Sequence, residues 1–130
     1  ELNRSLDGGL VLNDAYNANP ASTEAALRAL AGLTATRRVA VLGPMLELGE
    51  RSDAEHARIG ALARSLGIDM LVTVGAPCYE GEDVADIAGA IALVGPVGPG
   101  DAVLVKGSRA AGLERLATVL TGSVERMAAW

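Results

Sequence analysis

Four short apolar runs, each followed by a polar turn and then by apolar positions at helical spacing, organise this chain. They are Leu10-Val11-Leu12, Arg38-Val39-Ala40-Val41-Leu42-Gly43, Met70-Leu71-Val72-Thr73-Val74-Gly75 and Ala102-Val103-Leu104-Val105. Apolar runs this short, bounded by charge or glycine, read as strands buried on both faces. After the first, Asn19 is placed as an N-cap with Pro20 at the first helical position, and residues 22–33 set Ala26, Leu27, Leu30 and Leu33 on one helical face, with Gly32 as a stop. Ser52-Asp53-Ala54-Glu55 has the form of a capping box opening a second helix that reaches Leu66, with Gly67 beyond. Residues 83–93 read as a third helix interrupted by Gly89, residues 95–100 as a loop, and residues 110–120 as a last helix burying Leu113, Leu116, Ala117 and Leu120. The order β-α-β-α-β-α-β-α predicts one α/β domain over residues 1–130, a three-layer sandwich of mostly parallel sheet with helices on both faces.

Topology then directs attention to the strands' carboxyl ends, where open α/β sheets hold ligands and where helix N-termini present free N–H groups. Three polar loops fall there: Asp14 to Asn19, Gly43 to Gly49 and Lys106 to Arg109. Asp14 is placed to accept hydrogen bonds from ribose hydroxyls, and Tyr16, Asn17 and Asn19 to meet a base or phosphate. Lys106 and Arg109, with Ser108 at a helix start, are suited to a carboxylate or phosphate. The competing interpretation of the first loop is structural, because Asp and Asn are also the usual turn formers and caps.

Composition narrows the choices. With a net charge of −5 and a sequence pI of about 4.8, the chain lacks the basic face that nucleic acid or an anionic membrane demands. Its apolar runs fall short of the roughly 18 residues that span a bilayer, and a cytoplasmic protein is expected. Cys78 has no second cysteine to pair with, and a structural zinc site takes about four ligands, so no metal site is expected and Cys78 reads as a bystander. Without phenylalanine, and with Tyr16, Tyr79 and Trp130 the only aromatics, the core is expected to be built from Leu, Val, Ile and Ala. There is no phosphate-cradling G-x-x-x-x-G-K-[ST] loop, and the glycines of residues 95–100 precede a strand rather than opening a helix. No serine or cysteine has a base partner for nucleophilic catalysis. His56 reads as a packing or surface residue, and Glu47 with Glu50 as a solvated loop rather than a cation site. The chain opens at Glu1 rather than a methionine, from which a fragment or excised domain is expected.

Three motifs in order carry a resemblance. Asn13-Asp14-Ala15-Tyr16-Asn17-Ala18-Asn19-Pro20, then Val41-Leu42-Gly43-Pro44-Met45-Leu46-Glu47-Leu48-Gly49 with His56 after it, then Val105-Lys106-Gly107-Ser108-Arg109, resemble the C-terminal domain of the Mur ligase family, and within it the MurF branch. The resemblance covers nearly the whole chain. It implies a Rossmann-like fold and an ATP-dependent amide ligation in peptidoglycan synthesis, joining D-alanyl-D-alanine to UDP-MurNAc-tripeptide. It also implies that N-terminal and central domains, absent from this chain, hold the UDP-sugar, the phosphate loop and the Mg2+ ligands. This domain would be a monomer, inactive alone and carrying no catalytic residue of its own. By the same resemblance Asp14, Tyr16, Asn17 and Asn19 face the nucleotide, and Lys106, Ser108 and Arg109 face D-Ala-D-Ala. Pro44 departs from the acidic residue expected between Gly43 and Met45, and Arg4 is the one arginine near the position of a hinge arginine. The alternatives are a free-standing flavodoxin-like module such as a receiver domain, and the C-terminal domain of a folylpolyglutamate synthase-like ligase.

Overall fold

The computed structural model describes residues 2–14, 18–107 and 112–122. Within them the chain runs β1 (Leu2–Arg4), β2 (Leu10–Asn13), α1 (Pro20–Gly32), β3 (Arg37–Leu42), α2 (Ser52–Ser65), β4 (Met70–Val74), β5 (Glu82–Val84), α3 (Ile87–Val94), β6 (Asp101–Lys106) and α4 (Leu113–Thr121). The strands form one sheet in the order β1-β2-β6-β3-β4-β5, parallel throughout except for β1, which pairs antiparallel with β2. The three-layer α/β class expected from the apolar runs is therefore what forms.

Period-2 alternation sorts the strand side chains between two cores. Val11, Val39, Val41, Val72, Val74, Val103 and Val105 face one way, against Ala90 and Val94 of α3 and Leu113, Leu116 and Leu120 of α4. Ala40, Leu42, Leu71, Ala102 and Leu104 face the other way, against Leu27 and Leu30 of α1 and Ile59 and Ala63 of α2. Branched valines thus cover one face of the central strands, while leucine and alanine interdigitate with α1 and α2 on the other.

Three expectations are corrected. Residues 83–93 do not make one helix: Glu82–Val84 pairs with β4 as an edge strand, and Asp83 accepts from the Thr73 hydroxyl at 2.6 Å and the Ala76 N–H at 2.9 Å. The helix begins after Asp86, whose carboxylate caps it by accepting the Gly89 N–H at 2.9 Å. The capping box at Ser52 is absent as well, since a 3-10 turn, Gly49–Arg51, runs directly into α2 and supplies the first backbone partners. A reciprocal box does form one helix earlier, where Asn19 Oδ1 accepts the Ser22 N–H at 2.9 Å and the Ser22 hydroxyl accepts the Asn19 N–H at 3.1 Å. Finally, the core is not only aliphatic, for Tyr79 is fully buried.

Candidate functional site at the sheet's carboxyl edge

β2, β6 and β3 are neighbours and all parallel, so their carboxyl ends meet, as the loop positions predict. The Asp14 N–H donates to the Val105 carbonyl and the Gly43 N–H to the Lys106 carbonyl, both at 2.9 Å, which extends the ladder one residue beyond the strands. Gly107 lies so close to the backbone of Gly43 that a Cβ there would stand 3.2 Å from it and would collide with Leu113. Glycine lets the two strand ends converge.

At this convergence Lys106 Nζ lies 2.9 Å from Asp14 Oδ2 and also reaches the Asp14 carbonyl at 3.4 Å. The two partners are unequally exposed: the lysine side chain is 2% accessible and the aspartate 45%. A buried ammonium needs a partner, because an isolated charge out of water is costly. Asp14 supplies it while keeping its outer face toward solvent. The result is a carboxylate held in one place from beneath and free to accept hydrogen bonds from above.

The neighbouring Gly43–Gly49 loop is secured by different chemistry. The Tyr79 hydroxyl donates to the Gly43 carbonyl at 2.7 Å. The Met45 N–H donates to His56 Nε2 at 2.9 Å, and His56 Nδ1–H donates to the Ser52 carbonyl at 2.6 Å, so the neutral imidazole uses both nitrogens. The two rings meet edge to face with centroids 4.7 Å apart. His56 is buried, so of the packing and surface readings the packing one holds, and Met45 goes into the core rather than into the loop's polar surface. Burial pushes the Tyr79 phenol far above its ordinary pKa. Beyond Met45 the chain turns outward, with Leu46 exposed and Glu47 in the left-handed region at φ 64°.

The remaining candidates divide plainly. Asn19 is exposed and spends its side-chain oxygen on the α1 cap, accepting the Ser22 N–H. Tyr16, Asn17, Ser108 and Arg109 lie outside the described residues. Glu47 and Glu50 are exposed, and among the described residues no group of three or more His, Cys, Asp or Glu is arranged to hold a metal ion. Cys78 is exposed and donates to Asp53 Oδ1 at 3.2 Å; that carboxylate beside it raises the thiol's pKa, which leaves it a poor nucleophile. The sequence reading missed Tyr79 and Met45 as supports of this edge. Their only signal was a large side chain beside small ones in a segment that otherwise looks like loop.

Residues 1–109 match the family model described as Mur ligase, glutamate ligase domain, and the chain belongs to that family. Among proteins it resembles is the UDP-N-acetylmuramoyl-tripeptide--D-alanyl-D-alanine ligase of Mycobacterium leprae (strain TN), 43% identical over a match covering 94% of this chain and 29% of that protein. The ligase of the same name from Escherichia coli (strain K12) is 37% identical, over 85% of this chain and 26% of its own length. Among solved structures, MurF ligase from Thermotoga maritima in complex with ADP superposes with a TM-score of 0.79 at 29% identity, covering 98% of this chain and 31% of that one. MurF from Acinetobacter baumannii gives 0.77 at 29% identity, over 94% and 29%. The chain spans less than a third of the length of each of these proteins. Among the described residues no helix is long and apolar enough to cross a membrane.

Proposed function

We propose that this chain is the nucleotide- and dipeptide-facing portion of an ATP-dependent ligase that joins D-alanyl-D-alanine to UDP-MurNAc-tripeptide. The observation that carries the reading is the Asp14–Lys106 pair at the meeting point of three parallel strand ends, in a chain whose relatives bear that ligase's name. In this scheme the tripeptide carboxylate attacks the γ-phosphorus of ATP, releasing ADP and forming an acyl phosphate. The D-Ala-D-Ala amine then attacks the acyl carbon, phosphate leaves, and the amine's proton passes to solvent or base. Asp14 accepts hydrogen bonds from the ribose hydroxyls. Lys106, buried under it, acts through Asp14 by fixing the carboxylate's position, and contact with the dipeptide falls to Ser108 and Arg109. Tyr16, Asn17 and the free amide N–H groups of Asn19 complete the nucleotide side.

On this reading the phosphate loop and the magnesium ligands belong to partner domains; among the described residues no group of three or more His, Cys, Asp or Glu is arranged to hold a metal ion. The solved relative bound to ADP supports the nucleotide assignment. A receiver domain finds no support at β4, which ends in Val74 and is followed by Gly75-Ala76 with no acidic residue to phosphorylate. Phosphate release by the ligase carrying this chain tests the proposal. Release that requires ATP, magnesium, UDP-MurNAc-tripeptide and D-Ala-D-Ala together is expected; release indifferent to the dipeptide would sink it.

A further inference from the structure

His56 is the chain's only histidine, and it is buried. An imidazole that merely filled space would not need both of its nitrogens engaged. Here Nδ1–H donates to the Ser52 carbonyl, one turn back in α2, and that bond sets the tautomer and the ring's orientation. Nε2 is thereby left as an acceptor, and it takes the Met45 N–H of the loop after β3. The first bond stays within the helix; the second reaches the sheet's carboxyl edge.

From Met45 a continuous run of contacts leads to the Asp14 carboxylate. Two residues back, Gly43 donates its N–H to the Lys106 carbonyl at 2.9 Å and accepts the Tyr79 hydroxyl on its own carbonyl at 2.7 Å. Tyr79 and His56 meet edge to face, so the groups that hold Gly43 and Met45 also brace each other. Gly107 packs against the Gly43 backbone, which ties the end of β3 to the end of β6. Lys106 Nζ, at 2.9 Å from Asp14 Oδ2, is the last link. A displacement of Met45 and Gly43 therefore carries to the ammonium that fixes the carboxylate, and hydrogen-bonded groups packed to core density transmit strain of this kind.

Resting on the ligase reading above, we infer that His56 is a positioning residue for the nucleotide: through Met45, Gly43 and Lys106 it sets where the Asp14 carboxylate stands. It touches no substrate. Its Met45 bond, rather than its bond to Ser52, carries the effect.

Two variants separate the bonds. The amide of glutamine reaches as far as Nε2 and can accept the Met45 N–H, whereas that of asparagine reaches only as far as Nδ1 and serves Ser52 alone. In steady-state kinetics on the ligase carrying this chain, His56→Asn is expected to raise the ATP KM about three- to tenfold, with kcat and the D-Ala-D-Ala KM within about twofold of the parent. His56→Gln should keep the ATP KM within about twofold of the parent. A merely structural role gives the opposite pattern, because unfolded molecules lower kcat while the folded remainder keeps its KM. In an Asp14→Ala background His56→Asn should add no further rise, since the two act through one carboxylate. If His56→Asn does not fold, Tyr79→Phe, which keeps the ring and loses only the bond to Gly43, should raise the ATP KM about two- to threefold. Equal ATP constants for the asparagine and glutamine variants, a fall in kcat alone, a full further rise on Asp14→Ala, or an unchanged ATP KM in Tyr79→Phe would overturn the positioning role and leave the ligase reading intact. A parent enzyme without dipeptide-dependent phosphate release would overturn that reading and the role with it.

Discussion

The carboxyl ends of β3 and of the β2–β6 pair lie side by side and are held by opposite means. The loop after β3 is anchored from below by neutral groups: the buried Tyr79 hydroxyl on Gly43, and a buried imidazole on Met45 and Ser52. At the β2–β6 end the binding group is held by an ion pair whose acidic member is nearly half exposed. Neutral, fully satisfied hydrogen bonds in a core give rigidity with little left over for a ligand. A carboxylate pinned on one side and open on the other is a rigid acceptor with unused lone pairs. The difference separates scaffold from binding group within a few residues, and it yields predictions of decreasing size.

The largest concerns the scaffold. Gly60, buried on α2, faces the backbone of Tyr79 so closely that an added Cβ would collide with the Tyr79 carbonyl oxygen, a backbone atom that cannot swing aside. Gly60→Ala should cost about 3 kcal/mol of unfolding free energy, at the upper end for overpacking, despite alanine's better helix propensity. Urea denaturation measures it; a stabilised variant would mean that the α2–Tyr79 contact is loose and that the anchor is not rigid.

Next comes the binding group. Asp14→Ala in the ligase carrying this chain should raise the ATP KM about tenfold, as loss of hydrogen bonds to a charged acceptor does, and should also lower the thermal midpoint, because it takes the carboxylate from the buried Lys106 ammonium. Lys106→Met, which fills the buried space without the charge, should move the same ATP constant in the same direction. Should it raise only the D-Ala-D-Ala constant, Lys106 faces the dipeptide directly and the positioning role falls.

Tyr79 sharpens the contrast through pH. An exposed tyrosine in the unfolded chain loses its proton near pH 10, whereas burial holds the folded phenol protonated to higher pH. Above about pH 10 the unfolded state therefore binds fewer protons, and stability falls as pH rises; below it the contribution is fully present. Tyr79→Phe should cost about 1 kcal/mol at neutral pH through the lost bond to Gly43, and should flatten the alkaline limb. Unfolding measured from pH 8 to 11 on both proteins decides it, and parallel limbs would place the phenol within reach of water.

Much of this was legible in the chain. Unbroken apolar runs announce β3, β4 and β6, because strands buried on both faces leave no polar alternation to misread. The parallel order then suffices to bring Asp14, Gly43 and Lys106 together. β1 escaped notice because three residues, two of them polar, carry no period. β5 escaped because parallel neighbours ordinarily need a crossover of a dozen or so residues, while residues 75–81 make the link here through a 3-10 turn at Pro77–Tyr79. Tyr79 sits in that link, so its place in the core depends on a contact with α2 that no local pattern encodes. Ser52 and Glu55 had the right spacing for a cap, and the preceding turn made the cap unnecessary.

Asn19 carries the smallest effect and the most discriminating one, because scaffold and binding roles meet in one side chain there. Its Oδ1 caps α1, which any short acceptor can do, while its amide N–H groups remain for a ligand. Asn19→Ser keeps an acceptor and should change stability by only a few tenths of a kcal/mol, against about 1 kcal/mol for Asn19→Ala. If Asn19 also touches nucleotide, the serine variant should still raise the ATP KM, because a shorter hydroxyl engaged at the cap has no donor that reaches outward. Equal ATP constants for parent and serine variant would assign Asn19 to the scaffold and narrow the described part of the nucleotide site to Asp14 and the lysine beneath it.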